Sequence, residues 1–133
     1  MQGKEWLDLL GWTQEALEDI RFAGFSYIKQ GQYRVALKFF EALVFLSGTE
    51  QYVYDLQTLG ALHLQLGDHL VALNYLEQAI KINATHEPTL LNRAKALFLL
   101  GYKKQGLMQT EKLEESEDIS ISNQARALSL AYG

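Results

Sequence analysis

The stretch LGALHLQLGDHLVALNYLEQAI, residues 59–80, decides the fold because one amphipathic helical run ends at a glycine and a second run begins directly after it. Apolar residues recur at intervals of three and four on both sides of Gly67, which is the spacing of a helix with one buried face. Glycine adopts the left-handed conformation that ends a helix without a steric penalty. The stretch therefore predicts a helical hairpin.

The same pattern occurs twice more along the chain. Residues 22–43 (FAGFSYIKQGQYRVALKFFEAL) and 93–113 (RAKALFLLGYKKQGLMQTEKL) also place a glycine between two apolar helical runs. The three glycines, Gly31, Gly67 and Gly101, are separated by 36 and 34 residues, which indicates an internal repeat. Each unit also has two small residues twelve positions apart, which lets the two helices of a hairpin approach closely. These pairs are Gly24 and Ala36, Gly60 and Ala72, and Ala94 and Gly106.

The composition excludes several classes of protein. The chain of 133 residues is 48 % hydrophobic, so one domain over residues 1–133 can bury a core without a disulfide or a structural metal. The absence of cysteine excludes thiolate metal sites and disulfides. No run of apolar residues is long enough for a membrane span, and the first residues do not have the pattern of a secretory signal. We therefore expect a cytoplasmic protein that does not insert into membranes.

The charges indicate no nucleic-acid partner. The net charge is −4, and residues 1–20 and 111–118 each carry five acids and one base. Residues 21–110 carry nine bases and six acids, without the basic stripe that a nucleic-acid backbone requires.

The sequence offers little that could perform chemistry. His63, His69 and His86 have no second imidazole or carboxylate at helical metal-site spacing. The acidic run at residues 111–118 is too dense to be buried and is interpreted as a solvated edge. Phosphate-binding and nucleophile motifs are missing from the sequence. We expect no catalytic site, no metal and no cofactor.

A 34-residue period with these small residues, an aromatic residue between them and a glycine midway resembles the tetratricopeptide repeat. In that register the repeats comprise residues 17–50, 53–86 and 87–120. The resemblance implies an all-α fold of three helical hairpins stacked in a right-handed superhelix. An extra N-terminal helix is expected over residues 1–16 and a capping helix over residues 119–131, because each segment has a short apolar face.

The concave surface of such a superhelix is lined by the first helix of each hairpin. The resemblance implies that the second, fifth, ninth, twelfth and thirteenth positions of each repeat face this groove. Apolar side chains predominate there, in place of the Lys, Arg and Asn clamp that holds acidic peptides. They favour an apolar peptide, although an aromatic stripe at helical spacing can equally be core between repeats. The predicted groove residues are Phe25, Ile28, Tyr54, Ala61, Leu64, Leu91 and Phe98, with Lys29 and Lys95 at the rim.

Three longer stretches narrow the resemblance to one group of chaperones. They are GFSYIKQGQYRVALKFFEALVFL (24–46), YDLQTLGALHLQLGDHLVALNYLEQAIKIN (54–83) and EPTLLNRAKALFLLGY (87–102). This pattern looks like the class II chaperones of type III secretion, which hold translocator proteins, and is similar to the needle-subunit chaperones of the same apparatus. The resemblance implies a bacterial chaperone that keeps an apolar segment of a secreted translocator or needle protein soluble before export.

The resemblance also implies a possible association between chaperones. N-terminal helices of these families often form dimers, so Trp6, Leu9 and Leu10 are predicted to form a patch for a homodimer, a heterodimer with another chaperone, or a partner. The alternative function is a general tetratricopeptide-repeat scaffold unrelated to secretion. Salt-dependent binding through the convex side or through residues 111–118 would distinguish that alternative.

Overall fold

The computed structural model describes residues 9, 11, 13–46 and 52–133, and these residues form seven helices and no strand. Each hairpin consists of two consecutive helices, the hairpins stack in chain order, and the last helix packs against both helices of the third hairpin. The prediction of an all-α fold built from helical hairpins is confirmed. The helices are α1 (Gln14–Lys29), α2 (Tyr33–Phe45), α3 (Tyr52–Gln65), α4 (His69–Ile82), α5 (Glu87–Leu99), α6 (Lys103–Leu113) and α7 (Ile119–Tyr132).

The ends of the chain differ slightly from the predicted segments. Helix α1 begins at Gln14, inside the segment assigned to a separate N-terminal helix, because Thr13 caps it by accepting a hydrogen bond from the backbone N–H of Ala16 at 3.2 Å. Helix α7 extends to Tyr132. Its first turn is capped by Asp118, whose carboxylate accepts bonds from the N–H groups of Ser120 and Ile121.

The three hairpin turns share one backbone geometry. The glycine at each turn has a positive φ, between 75° and 89°, so each helix ends in the left-handed conformation. The residue after each glycine donates its N–H to a carbonyl five residues earlier, at 2.8 to 2.9 Å. This bond satisfies a carbonyl that the helix end would otherwise leave without a donor.

The small residues of each repeat allow the close packing that their spacing predicts. A Cβ added to Gly60 would lie 2.5 Å from a side-chain carbon of Leu76, and one added to Gly24 would lie 2.7 Å from the ring of Phe40. The partner position Ala72 is fully buried. Helices α1 and α2, and α3 and α4, therefore approach at distances that no larger side chain permits at these positions.

The side chain of Arg93 connects the second and third repeats. Arg93 in α5 donates hydrogen bonds to Glu77 in α4 and, at 3.1 Å, to Gln109 in α6. One guanidinium thus connects the second helix of the middle repeat to both helices of the third repeat.

Candidate functional site

The nine predicted groove residues all lie on α1, α3 and α5, the first helices of the three hairpins. The structure divides them by exposure. The two lysines are exposed, and the groove residues from the first two repeats are half-buried, except for one leucine. The exposed pair is Lys29 and Lys95, the half-buried set is Phe25, Ile28, Tyr54 and Ala61, and the buried set is Leu64, Leu91 and Phe98.

Two of the buried groove residues pack mainly against the following elements of the chain. Leu64 belongs to a buried cluster that also contains Leu76 of α4 and Ala96 of α5. Leu91 belongs to a second cluster with residues of α6 and α7, among them Leu113. Both side chains therefore contribute to packing between repeats and leave little surface for a ligand.

The third buried groove residue, Phe98, is covered by the last helix. Its ring stacks on the ring of Tyr132 in α7, with centroids 5.6 Å apart and planes 17° from parallel. The ring of Phe98 also lies close to Gly106 of α6, where an added Cβ would approach it to 2.7 Å. The chain itself thus occupies the aromatic surface of the third repeat.

The first repeat keeps its aromatic surface accessible. Phe25 packs edge-on against Phe40 of α2 at a centroid distance of 5.8 Å and against Tyr54 of α3 at 5.7 Å. These contacts fix the base of a depression of about 380 Å³, beside which Phe22 is 75 % exposed. The residues that line the depression are Glu18, Asp19, Arg21, Phe22 and Phe25.

Phe22 is absent from the residues predicted for the groove. It occupies the sixth position of the first repeat, which the family pattern used for the prediction does not include. The sequence contained a signal for this position, because Phe22 lies four residues after Glu18 and three before Phe25 and therefore shares their helical face.

A buried ion pair lies behind this depression. Arg21 of α1 donates from Nε and Nη2 to the two carboxylate oxygens of Asp55 in α3, at 2.9 and 2.8 Å, and from Nη1 to Glu18 at 2.6 Å. Arg21 is 6 % exposed and Asp55 is fully buried. The bidentate geometry is the strongest form of this interaction, and it connects the first helices of repeats one and two.

Burial and the ion pair together determine the pKa values of Asp55 and Arg21. Burial raises the pKa of the Asp55 carboxyl above its ordinary value, and the hydrogen bonds from Arg21 oppose that rise. The hydrogen bond to Asp55 raises the pKa of Arg21, so the guanidinium stays charged. Since its donors point to Asp55 and Glu18, Arg21 is engaged inside the protein although it occupies a predicted groove position.

The remaining predictions concern the dimer patch, metal sites and membrane spans. Leu9 is exposed, whereas Trp6 and Leu10 of the predicted dimer patch lie outside the described residues. Within the described part of the chain, no group of three His, Asp or Glu side chains could hold a metal ion. The helices described there also lack the length and apolar character of a membrane span.

Comparisons with known proteins agree with this architecture. A tetratricopeptide-repeat family model matches residues 56–86, and no curated protein sequence matches the chain. PcrH from Pseudomonas aeruginosa superposes with a TM-score of 0.75 at 20 % identity, over 90 % of this chain and 93 % of that one. The translocator chaperone SycD of Yersinia enterocolitica gives 0.76 at 20 % identity, over 90 % and 85 %. The chain has the fold of type III secretion translocator chaperones.

The same fold also occurs in a repeat domain that holds a different peptide. The first tetratricopeptide-repeat domain of Spaghetti, bound to the HSP90 peptide SRMEEVD, superposes with a TM-score of 0.75 at 20 % identity, over 90 % of this chain and 94 % of that one. The fold is therefore compatible with more than one class of peptide, and the side chains of the groove must distinguish between them.

Proposed function

We propose that the protein is a cytoplasmic bacterial chaperone for type III secretion, which holds an apolar segment of a secreted translocator or needle subunit in its concave groove before export. Two structures of similar fold support this proposal. PcrH has been solved with the chaperone binding region of PopD, and SycD with a peptide of the translocator YopD. Such a function requires reversible shielding of apolar side chains and no catalytic group.

The observation that carries the proposal is the exposed aromatic surface of the first repeat. Phe22 is 75 % exposed, although Phe25, which lines the same depression, is packed against Tyr54. Burying one phenylalanine side chain stabilises a complex by roughly 1.5–3 kcal/mol. An apolar side chain of a bound segment can thus gain substantial affinity here, with Phe25 as a rigid base.

The charges around the same depression argue against the alternative function of a general scaffold that binds an acidic peptide. The peptide SRMEEVD, which Spaghetti holds, carries three carboxylate side chains. In this chain, Arg21 is already paired with Asp55, while Glu18 and Asp19 line the depression. An acidic peptide would meet like charges at the first repeat, so the groove favours an apolar segment.

Co-expression tests the proposal. The tagged protein is produced with each translocator and needle subunit of the same genome, and co-purification is measured for the wild type and for Phe22→Glu. Leu70→Glu is the matched control, because Leu70 is 66 % exposed but lies on α4, the second helix of its hairpin. We expect at least about tenfold weaker binding for Phe22→Glu and wild-type binding for Leu70→Glu, since the charge would replace the apolar contact.

Thermal unfolding of both variants serves to verify that they are folded. Equal binding by wild type and folded Phe22→Glu would refute the groove assignment. Leu64→Glu and Phe25→Glu are poor test variants, because their side chains belong to the packing and a buried charge would unfold the protein.

Self-association is a separate part of the proposal. SycD has been crystallised as an alternative dimer, and Trp6, Leu9 and Leu10 are the residues proposed here for a homodimer or a heterodimer with another chaperone. Light scattering at several concentrations, on the wild type and on Leu9→Glu, measures this directly. A dimer that persists in Leu9→Glu would exclude this patch as the interface.

A further inference from the structure

On the groove face of α1, charged and aromatic side chains follow a definite order along the helix. Residues at helical spacing read Glu15, Glu18, Phe22, Phe25 and Lys29, so acids come first, aromatic rings follow and a lysine ends the face. Glu18 and Lys29 are eleven residues apart, which corresponds to about 16 Å along the helix axis. The two signs of charge are therefore separated by the aromatic surface.

Around the acidic end, the residues that the structure describes carry more carboxylates than cations. Arg21 is the one cation among the five residues that line the depression, and it is buried against Asp55. The side chain of Glu18 is 60 % exposed although it accepts a bond from Arg21, and Asp19 is exposed and has no ion pair with the part of the chain that the structure describes. These three carboxylates and one guanidinium leave a net charge of −2 beside Phe22.

We propose that the segment held at the first repeat carries a lysine or arginine one or two residues from the apolar side chain that packs on Phe22 and Phe25, and that Glu18 and Asp19 bind this cation. This inference rests on the proposed function, and it adds the charge of the bound segment. Side chains four residues apart on a helix have Cβ atoms about 5–6 Å apart, and an extended chain advances about 3.3 Å per residue. The cation therefore lies within two residues of the anchor.

The charge pair gives selectivity more than affinity. Surface ion pairs contribute a factor of about two to five in a binding constant, and salt weakens them. A cation next to the anchor would thus select among apolar segments, since one flanked by acids meets repulsion at the same place.

Selection from a random twelve-residue peptide library displayed on phage tests the inference. The baits are the wild type, Asp19→Lys, Phe22→Glu and the control Glu41→Lys, which reverses an exposed acid on α2. For the wild type and for Glu41→Lys, we expect Lys and Arg to be enriched at least about twofold within two residues of an apolar anchor. For Asp19→Lys, we expect that enrichment to disappear.

Binding of the best selected peptide is then measured by fluorescence anisotropy. We expect Glu18→Gln and Asp19→Asn each to weaken binding about two- to fivefold at low salt, with a smaller difference at high salt.

The outcomes separate the inference from the proposed function. Apolar peptides without basic enrichment, still lost in Phe22→Glu, would overturn the inference and leave the proposed function intact. Peptides that bind Phe22→Glu as well as the wild type would overturn both. A dimer that Phe22→Glu converts to a monomer would show that a second copy of the chain covers the depression, which also overturns the inference.

Discussion

Removing one partner of the Arg21–Asp55 ion pair should destabilise the protein far more than removing both. In Asp55→Ala the guanidinium of Arg21, only 6 % exposed, loses its two bonds to the carboxylate and keeps a single partner, Glu18. Leaving a buried charge without its partner costs roughly 3–5 kcal/mol. A domain of this size has a free energy of unfolding of about 5–15 kcal/mol, so this single change removes a large share of it.

The double variant provides the decisive comparison. Arg21→Met combined with Asp55→Leu replaces both charges by apolar side chains, and such replacements are often neutral within about 1–2 kcal/mol or even stabilising. We therefore expect the double variant to be more stable than Asp55→Ala. Equilibrium urea unfolding followed by circular dichroism measures the free energy of unfolding of the wild type, of Asp55→Ala and of the double variant. A double variant no more stable than Asp55→Ala would refute this account.

Arg21→Met alone should show a distinctive pH dependence. Burial raises the pKa of Asp55 and Arg21 opposes the rise, so without Arg21 the pKa increases further. A carboxyl whose pKa is higher in the folded state contributes stability that is complete below its unfolded pKa and is lost as the pH rises through the folded pKa. Arg21→Met should therefore lose more stability relative to wild type at pH 8 than at pH 5. An equal loss at both pH values would contradict the assignment.

Four further changes test the fold by urea unfolding or hydrogen exchange. Gly60→Ala should destabilise the protein by about 1–3 kcal/mol, because the added Cβ would overlap a side chain of α4. Gly67→Ala has open space around the added Cβ and should lose about 1–2 kcal/mol through its left-handed backbone alone. A stabilised Gly60→Ala variant would contradict the close packing. Asp118→Ala removes two capping hydrogen bonds, so it should lower the free energy of unfolding by about 1 kcal/mol and speed amide exchange at the start of α7. Unchanged exchange there would argue against the cap. Tyr132→Ala should expose Phe98 and speed exchange in the last turn of α7, whereas unaltered exchange would show that the ring stack does not hold this helix.

The hairpins could be predicted from the sequence because local patterns determine them. The glycine turns depend on a backbone conformation that only glycine adopts readily, and the twelve-residue spacing of Gly60 and Ala72 reports helix contact directly. The exposure of the residues predicted for the groove could not be inferred in the same way. Helical periodicity shows which face a side chain occupies, but not how far the next repeat covers it, as it does for Leu64.

The least predictable features involve residues far apart in the chain. Phe98 is covered by Tyr132, which lies 34 residues later, and Asp55 pairs with Arg21, which lies 34 residues earlier. Both separations are close to the repeat period, but Arg21 and Asp55 occupy different positions of their repeats, the fifth and the third, and Tyr132 lies in the last helix, outside the three repeats. Sequence periodicity alone does not show whether such positions meet as partners or face a ligand.

The side chain of Arg93 makes the repeats unequal as building blocks. Its guanidinium contacts Glu77 in the preceding hairpin and Gln109 in its own. A repeat duplicated or grafted between the second and third hairpins would separate Arg93 from Glu77, unless the new repeat supplied an acid at the corresponding place. Lengthening this protein by repeat insertion would therefore require junction residues to be exchanged together with the repeat, and a swap at the consensus positions alone would leave a cation without its carboxylate.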